Sequence, residues 1–228
     1  MRSNRGSSAP RGGRLSVEQL EARELLAVFQ VTGQEQLLLE RLNDARANPA
    51  AYGASIGVDL SGIAPAPPLA FDTRLVGAAR QHSQDMAARD YFAHDTPEGV
   101  TPGERLTAEG FPWTSWGESV AANAAFSDPG AALRALVVDE GVPSLGHRRQ
   151  LLAADAVFRT QEQVGIGVVH DWAAPWVNYY TVDTAATLDG RPLLTGVAFN
   201  DANGNGKYDA GGHFQSSFGA ACGVAAGR

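Results

Sequence analysis

The chain has 228 residues, 44% of them hydrophobic and 8% aromatic, which is enough to bury the core of one medium domain with short appendages. The net charge is −7, and four of the 18 basic residues, Arg2, Arg5, Arg11 and Arg14, precede the first acidic one, Glu18; the acidic body that follows argues against nucleic acid as a partner. No stretch approaches the ~20 apolar residues that a membrane span needs.

Residues 1–30 read as an export leader or a disordered N-terminus. The first fourteen are basic and rich in Ser and Gly, and Leu20-Glu21-Ala22-Arg23-Glu24-Leu25-Leu26 resembles the LExRxLL leader of some exported bacterial proteins, with Ala22 where that leader often has Pro. The apolar run from Leu25 to Val31 is short for a secretory segment and is broken by Gln30, so an ordinary amphipathic helix is the alternative. From Gln34 to Asn48, Leu38, Leu42 and Ala45 share one helical face, and Asn48-Pro49 ends the helix. After the connection Ala64-Pro65-Ala66-Pro67-Pro68, Asp72 caps a second helix that runs to Arg89. Leu75, Ala79, His82 and Met86 form one stripe on it, which makes His82 a buried or half-buried structural histidine. Asp128-Pro129 starts a third helix that runs to Glu140 before Gly141. Val164–Val169 and Trp176–Val182 are strands joined by a hairpin turn across Asp171–Pro175. The order of elements is that of an α/β (α+β) protein.

Four residues carry the candidate chemistry: His94, Glu118, Asp139 and His147. They sit in separate motifs, Tyr91-Phe92-Ala93-His94, Trp116-Gly117-Glu118-Ser119, Val138-Asp139-Glu140 and Gly146-His147-Arg148. Neutral imidazole nitrogen and carboxylate oxygen bind borderline divalent metals and pass protons near neutral pH. Taken alone, such a residue is more often a capping or hydrogen-bonded structural residue than a ligand. Three of these motifs resemble, in order, the YFxH, GEN and GHR words of the CAP superfamily in its cysteine-poor bacterial form, the SCP domain, and Asn43 lies in a first helix like the one that precedes them there. The resemblance covers residues 34–186. It implies a single-domain α-β-α sandwich, a small antiparallel sheet between helices with a His-Glu-Glu-His tetrad at one end. Asp139 stands where the family has its second glutamate, one methylene shorter, with Glu140 as the neighbour that would replace it; Ser119 stands where the family has Asn.

The resemblance implies that His94 and His147 hold zinc or another divalent cation, that Glu118 and Asp139 orient them, and that the cleft takes an extracellular or cell-surface ligand such as a lipid, glycan or peptide. The alternative is a metal-assisted hydrolase in which Glu118 is the general base and all four residues are catalytic. The chain has no Gly-x-Ser-x-Gly or HExxH motif, which favours binding. Trp113, Trp116, Trp172 and Trp176 are candidate cleft walls, although aromatic residues at such positions more often serve simple packing. His170, at a strand end, and His213, in the tail, are not site candidates.

Past residue 187 the chain becomes a Gly- and Asn-rich extension, 187–228. Asp201, Asn203, Asn205 and Asp209 put oxygens at loop positions one, three, five and nine, with Gly206 at six and the Lys207 backbone at seven, the places a calcium loop uses. Gly212 replaces the bidentate glutamate of position twelve, and a polar Asx-rich turn is the alternative. The segment resembles the opening of the B-type repeats of bacterial surface proteins. Cys222 is alone, so no intramolecular disulfide forms. Together these readings give a secreted or cell-surface bacterial protein.

Overall fold

A computed structural model describes residues 30–124 and 128–188 and, in the extension, 193, 195–197, 199, 201 and 203–209. Except for Gln30, the leader segment lies outside the described residues, as do His213 and Cys222. Among the described residues no helix is long and apolar enough to cross a membrane.

Helix α1, Gly33–Ala47, opens with a capping box in which the Thr32 hydroxyl accepts from the Glu35 amide and the Glu35 carboxylate accepts from the Thr32 amide. It ends at Asn48 as the sequence predicts, yet the chain re-enters a helix at once. The Asn48 side chain accepts from the Ala51 amide at 3.0 Å and caps α2, Pro49–Ile56. Proline stops one helix and suits the first turn of the next, where no amide hydrogen is needed. After strand β1, Ala70–Phe71, come α3, Thr73–Ala88, capped by Asp72, and α4, Pro102–Ala108, capped by Thr101. Strand β2, Trp113–Asn123, is followed by α5, Pro129–Val138, and α6, Gly146–Leu151. A 3-10 turn at Phe158–Thr160 leads to the hairpin of β3, Gln163–His170, and β4, Asn178–Thr187.

The sheet order is β1-β3-β4-β2, with β2, β4 and β3 antiparallel and the two-residue β1 parallel to β3. Helix α3 covers one face, and α1, α5 and α6 cover the other, the sandwich implied by the sequence. The larger core joins Leu38, Leu39 and Leu42 of α1 and Leu133 and Val137 of α5 to Val164, Ile166, Tyr180 and Val182 of the sheet. Strand β2, to which the sequence reading assigned no element, carries Trp116–Ser119. Its middle residues, Gly117 to Val120, are all buried, so the alternation that marks a half-exposed strand is lost.

The α3 face is set by two glycines. A Cβ on Gly165 would lie 2.1 Å from the Leu75 carbonyl, and one on Gly167 would lie 2.3 Å from the Ala79 oxygen. Helix and strand backbones therefore touch directly, and α3 is drawn close enough for its polar residues, His82 and Ser83, to reach the sheet; the Ser83 hydroxyl donates to the Gly167 carbonyl at 3.1 Å. Replacing Gly165 with Ala forces α3 away from β3, and urea unfolding should show a loss of about 3 kcal/mol, the upper part of the range for overpacking.

Candidate functional site

His94 and Glu118 come from segments that tertiary packing brings together. Strand β2 lies at the sheet edge and carries Glu118, whereas His94 lies in the connection between α3 and α4. The His94 Nδ1–H donates to Glu118 Oε1 at 2.8 Å. The Arg105 guanidinium, on α4, pairs with the other Glu118 oxygen. Arg105 also donates to the His94 carbonyl at 2.9 Å and the Val100 carbonyl at 3.1 Å, so one cation fixes both the histidine backbone and its carboxylate partner.

The second pair forms locally. Asp139 is the C-cap of α5 and adopts the left-handed conformation, φ 57°, which aspartate tolerates better than most residues. That turn aims its carboxylate at α6. One oxygen accepts from the His147 Nδ1–H at 2.6 Å, and the other accepts from the His147 amide at 3.1 Å and the Arg148 amide at 3.3 Å. Leu145, the N-cap of α6, offers no side-chain bond, so Asp139 caps the helix as well as orienting the histidine. Arg148 closes the turn by donating to the Val137 and Val138 carbonyls at 2.7 and 2.8 Å. Glu140 is exposed and takes no part. The shorter aspartate thus suits a carboxylate that must fold back onto adjacent amides.

His94 and His147 face each other with ring centroids 6.4 Å apart. Each commits Nδ1 to a buried carboxylate, and Nε2 is the nitrogen left for a ligand. Both border a cleft of about 290 Å³ whose other walls include Val142, Gln150 and Phe158. None of the four tryptophans lines it; the aromatic wall is Phe158, admitted because Gly117 has no side chain, a Cβ there lying 2.9 Å from the Phe158 ring. Ser119 points to the opposite face of β2 from Glu118 and donates to Gln150 Oε1 at 2.5 Å. The Gln150 amide donates in turn to the Val182 carbonyl and the Thr184 hydroxyl. The Asn-to-Ser departure is therefore absorbed in a satisfied polar ladder beneath the cleft.

Behind Glu118 lie two groups that the sequence did not connect to the site. Asp183 is its direct partner across the β2–β4 ladder and is 1% exposed. Burial pushes the Asp183 carboxyl well above the usual carboxylate range, and the Glu118 charge pushes it further, since two neighbouring buried carboxyls cannot both ionise. His82 is buried, as its stripe predicts, but it lies 4.0 Å from Glu118 Oε1 and donates from Nε2 to the Ala93 carbonyl at 3.0 Å. Burial holds its pKa below the ordinary value. For His94 the hydrogen bond to Glu118 outweighs burial and raises the pKa above the ordinary 6.5.

In the extension, the Asp201 carboxylate accepts from the Asn205 and Gly206 amides at 3.0 and 2.8 Å, and Asn205 Oδ1 accepts from the Lys207 amide at 2.7 Å. The Asn203 and Asn205 side chains donate to Asp209. The five candidate positions thus share one turn, with Asx-type bonds of the kind the alternative reading requires. Among the described residues, no three of His, Cys, Asp and Glu are grouped to hold a metal ion.

An α-β-α sandwich with two histidine–carboxylate pairs converging on one cleft is the class that this geometry defines. Residues 39–183 match the family described as CAP, the cysteine-rich secretory protein family, and the chain belongs to it. Among solved structures it is similar to an extracellular protein containing an SCP domain from Bacillus anthracis, at 23% identity and a TM-score of 0.46, over 77% of this chain and 45% of that one. It is also similar to an outer surface protein of Borrelia burgdorferi, at 14% identity and a TM-score of 0.45, over 65% and 93%, and to venom allergen-like protein 4 of Schistosoma mansoni, at 13% and 0.43, over 69% and 90%. The chain spans less than half the length of the Bacillus protein. No curated protein matches it.

The His94–Glu118 pair has a pH signature. Its raised value means that the stability of the charged pair is fully present below pH 6.5 and is lost as pH rises through the folded-state pKa. NMR titration should place the His94 midpoint above 6.5, and Glu118→Gln should lower it. Asp183 has the opposite consequence: a carboxyl raised above 3.8 costs stability increasingly as pH rises from that value. Asp183→Asn should therefore gain on the native protein between pH 4 and 7 in denaturant unfolding, and a loss that grows over that range would show Asp183 to be ionised.

Proposed function

We propose that the protein is an exported binding module in which His94 and His147 hold a divalent cation, zinc in the first instance, at the mouth of a cleft that receives an extracellular ligand. The observation that carries this reading is that both histidines tie Nδ1 to a buried carboxylate while their rings face each other at 6.4 Å. Carboxylate–histidine pairs fix the tautomer that leaves Nε2 as a metal ligand and raise its basicity. With no third grouped donor among the described residues, the two imidazoles are the protein's contribution, and water or the ligand supplies the remaining positions. Bound there, the ion would supply Lewis acidity toward a carbonyl, carboxylate or phosphate oxygen. Phe158 and Val142 give the cleft an apolar wall beside that polar end, which suits a lipid, glycan or peptide carrying a polar group at one end.

Hydrolysis by the same residues is the weaker reading. A general base needs a free oxygen within reach of a water, and Glu118 has one oxygen on His94 and the other on Arg105. Asp139 is committed in the same way to His147 and two amides. The Gln150 amide, the candidate oxyanion donor at the cleft, is bonded to the sheet.

Support for export comes from the leader-like motif and from the family's description as secretory. The loop holding Asp201, Asn203, Asn205, Lys207 and Asp209 is proposed as a weak calcium site, supported by its ligand spacing; calcium titration of the full chain beside Asp201→Ala tests it. For the cleft the test is calorimetric titration of zinc into the metal-stripped full chain and its His94→Ala and His147→Ala variants, with folding checked by circular dichroism. One-site binding that is lost in both variants is the expected result. Binding indifferent to either substitution would sink the metal reading.

A further inference from the structure

The tryptophans that do not line the cleft leave a surface to be explained. Trp172 is 81% exposed, Phe92 44% and Trp176 38%, and all belong to the end of the sheet where β3 turns into β4 or to the loop beside it. These rings are held in place. Trp172 packs edge-on against His170, centroids 4.6 Å apart and planes at 90°, and His170 is bonded through Nδ1 to Asn178 Oδ1 at 2.6 Å. Trp176 contacts Phe92 at 5.9 Å and the buried Tyr179 at 6.2 Å. The connecting loop closes on itself: the Asp171 amide donates to the Val177 carbonyl at 2.7 Å, the Val177 amide to the Ala174 carbonyl at 3.2 Å, and the Ala173 amide to the Asp171 carboxylate at 2.9 Å. Val177 is held at φ 32°, an unfavourable conformation for a β-branched residue, which persists only where the surroundings over-determine it. A rigid loop that holds large rings out in water gains nothing in folding from their exposure.

The polar surroundings narrow the partner. Asp171 directly precedes Trp172, and Asp90, two residues before Phe92, is exposed; the arginine of the neighbouring loop, Arg89, is already paired with Asp85 and Glu98. Such an acidic surface is repelled by anionic lipid leaflets and anionic polymers. Among the described residues, the strand edges that lack a partner, β2 and β3 past Val164, lie outside the connecting loop that carries Trp172 and Trp176, and that loop bonds its backbone groups internally, so it presents no strand-like edge to an extended peptide. Exposed flat rings with acceptors at their rim suit a partner that has an apolar flat face and hydroxyl donors around it, which describes a hexopyranose: its axial C–H groups pack on an aromatic face while its equatorial hydroxyls donate to carboxylates. We infer that the β3–β4 hairpin end is a binding surface for neutral glycan chains, with Trp172, Trp176 and Phe92 as stacking platform and Asp171 and Asp90 as hydroxyl acceptors. The surface is separate from the histidine cleft and does not depend on metal there.

The test is calorimetric and tryptophan-fluorescence titration of the full chain with chitohexaose and cellohexaose, beside Trp172→Ala and, as an exposed tryptophan elsewhere on the protein, Trp113→Ala. Sedimentation with neutral phosphatidylcholine vesicles runs in parallel, and circular dichroism confirms the fold of each variant. The expected result is millimolar or tighter binding of at least one oligosaccharide, weakened about tenfold or more by Trp172→Ala and unchanged by Trp113→Ala. Asp171→Asn should weaken it less. Failure of the native chain to bind either sugar, binding that Trp172→Ala leaves intact, or Trp172-dependent sedimentation with vesicles in place of sugar binding would each overturn the inference.

Discussion

A single buried carboxylate, that of Glu118, organises the cleft. It is buried at a sheet edge, and a charge removed from water persists only if it is paired and hydrogen-bonded. Arg105 and His94 meet that demand from one side, and the buried Asp183 sits across the ladder from it. The same demand explains the conformation of the α3–α4 connection. Arg105 reaches back to the His94 and Val100 carbonyls while His82 holds the Ala93 carbonyl, so the loop bearing His94 is tied down on both sides of the histidine. The close approach of α3, allowed by Gly165 and Gly167, brings His82 within range.

The two halves of the site use different physics to the same end. His94 depends on an ion pair between elements distant in sequence, and its surroundings raise its pKa. His147 depends on one helix end turning into the next, with a left-handed Asp139 doing duty as both cap and orienting group. In the first half the partner must be long, because the carboxylate reaches out from a strand. In the second it must be short, because the carboxylate returns onto amides only eight and nine residues ahead. The replacement of a glutamate by Asp139 is therefore a matter of local geometry, not a loss of the site.

What the sequence revealed follows the same division. Helix starts at Asp72 and Asp128, the stop at Asn48-Pro49 and the β3–β4 hairpin are written in local capping and turn chemistry, and all were legible. The four candidate residues, which the structure joins as two pairs, were legible because each lies in a short motif. Arg105, Asp183 and the role of His82 were not, because nothing near them in sequence shows that they converge on Glu118; only the register that sets Glu118 opposite Asp183 brings that out. Strand β2 was hidden by being covered on both faces, and α2 by a proline that ends one helix and begins another. The cleft's aromatic wall was hidden for a related reason: large aromatic residues near site motifs suggest cleft walls, whereas Gly117, a residue with no side chain, is what admits the cleft's aromatic ring.

The unequal spans of the two pairs bear on how the site comes apart. Asp139 and His147 are eight residues apart, on adjoining helices, whereas His94 and Glu118 are twenty-four apart and meet only when the edge strand β2 is docked. Edge strands are drawn from the part of a fold that opens first. Opening of β2 would dissolve one half of the site and leave the other assembled. A ligand that bridges the two histidines would then act as a clasp between the α5–α6 corner and the sheet margin, so that its occupancy would register in the amide-exchange rates of β2 more than in those of the core.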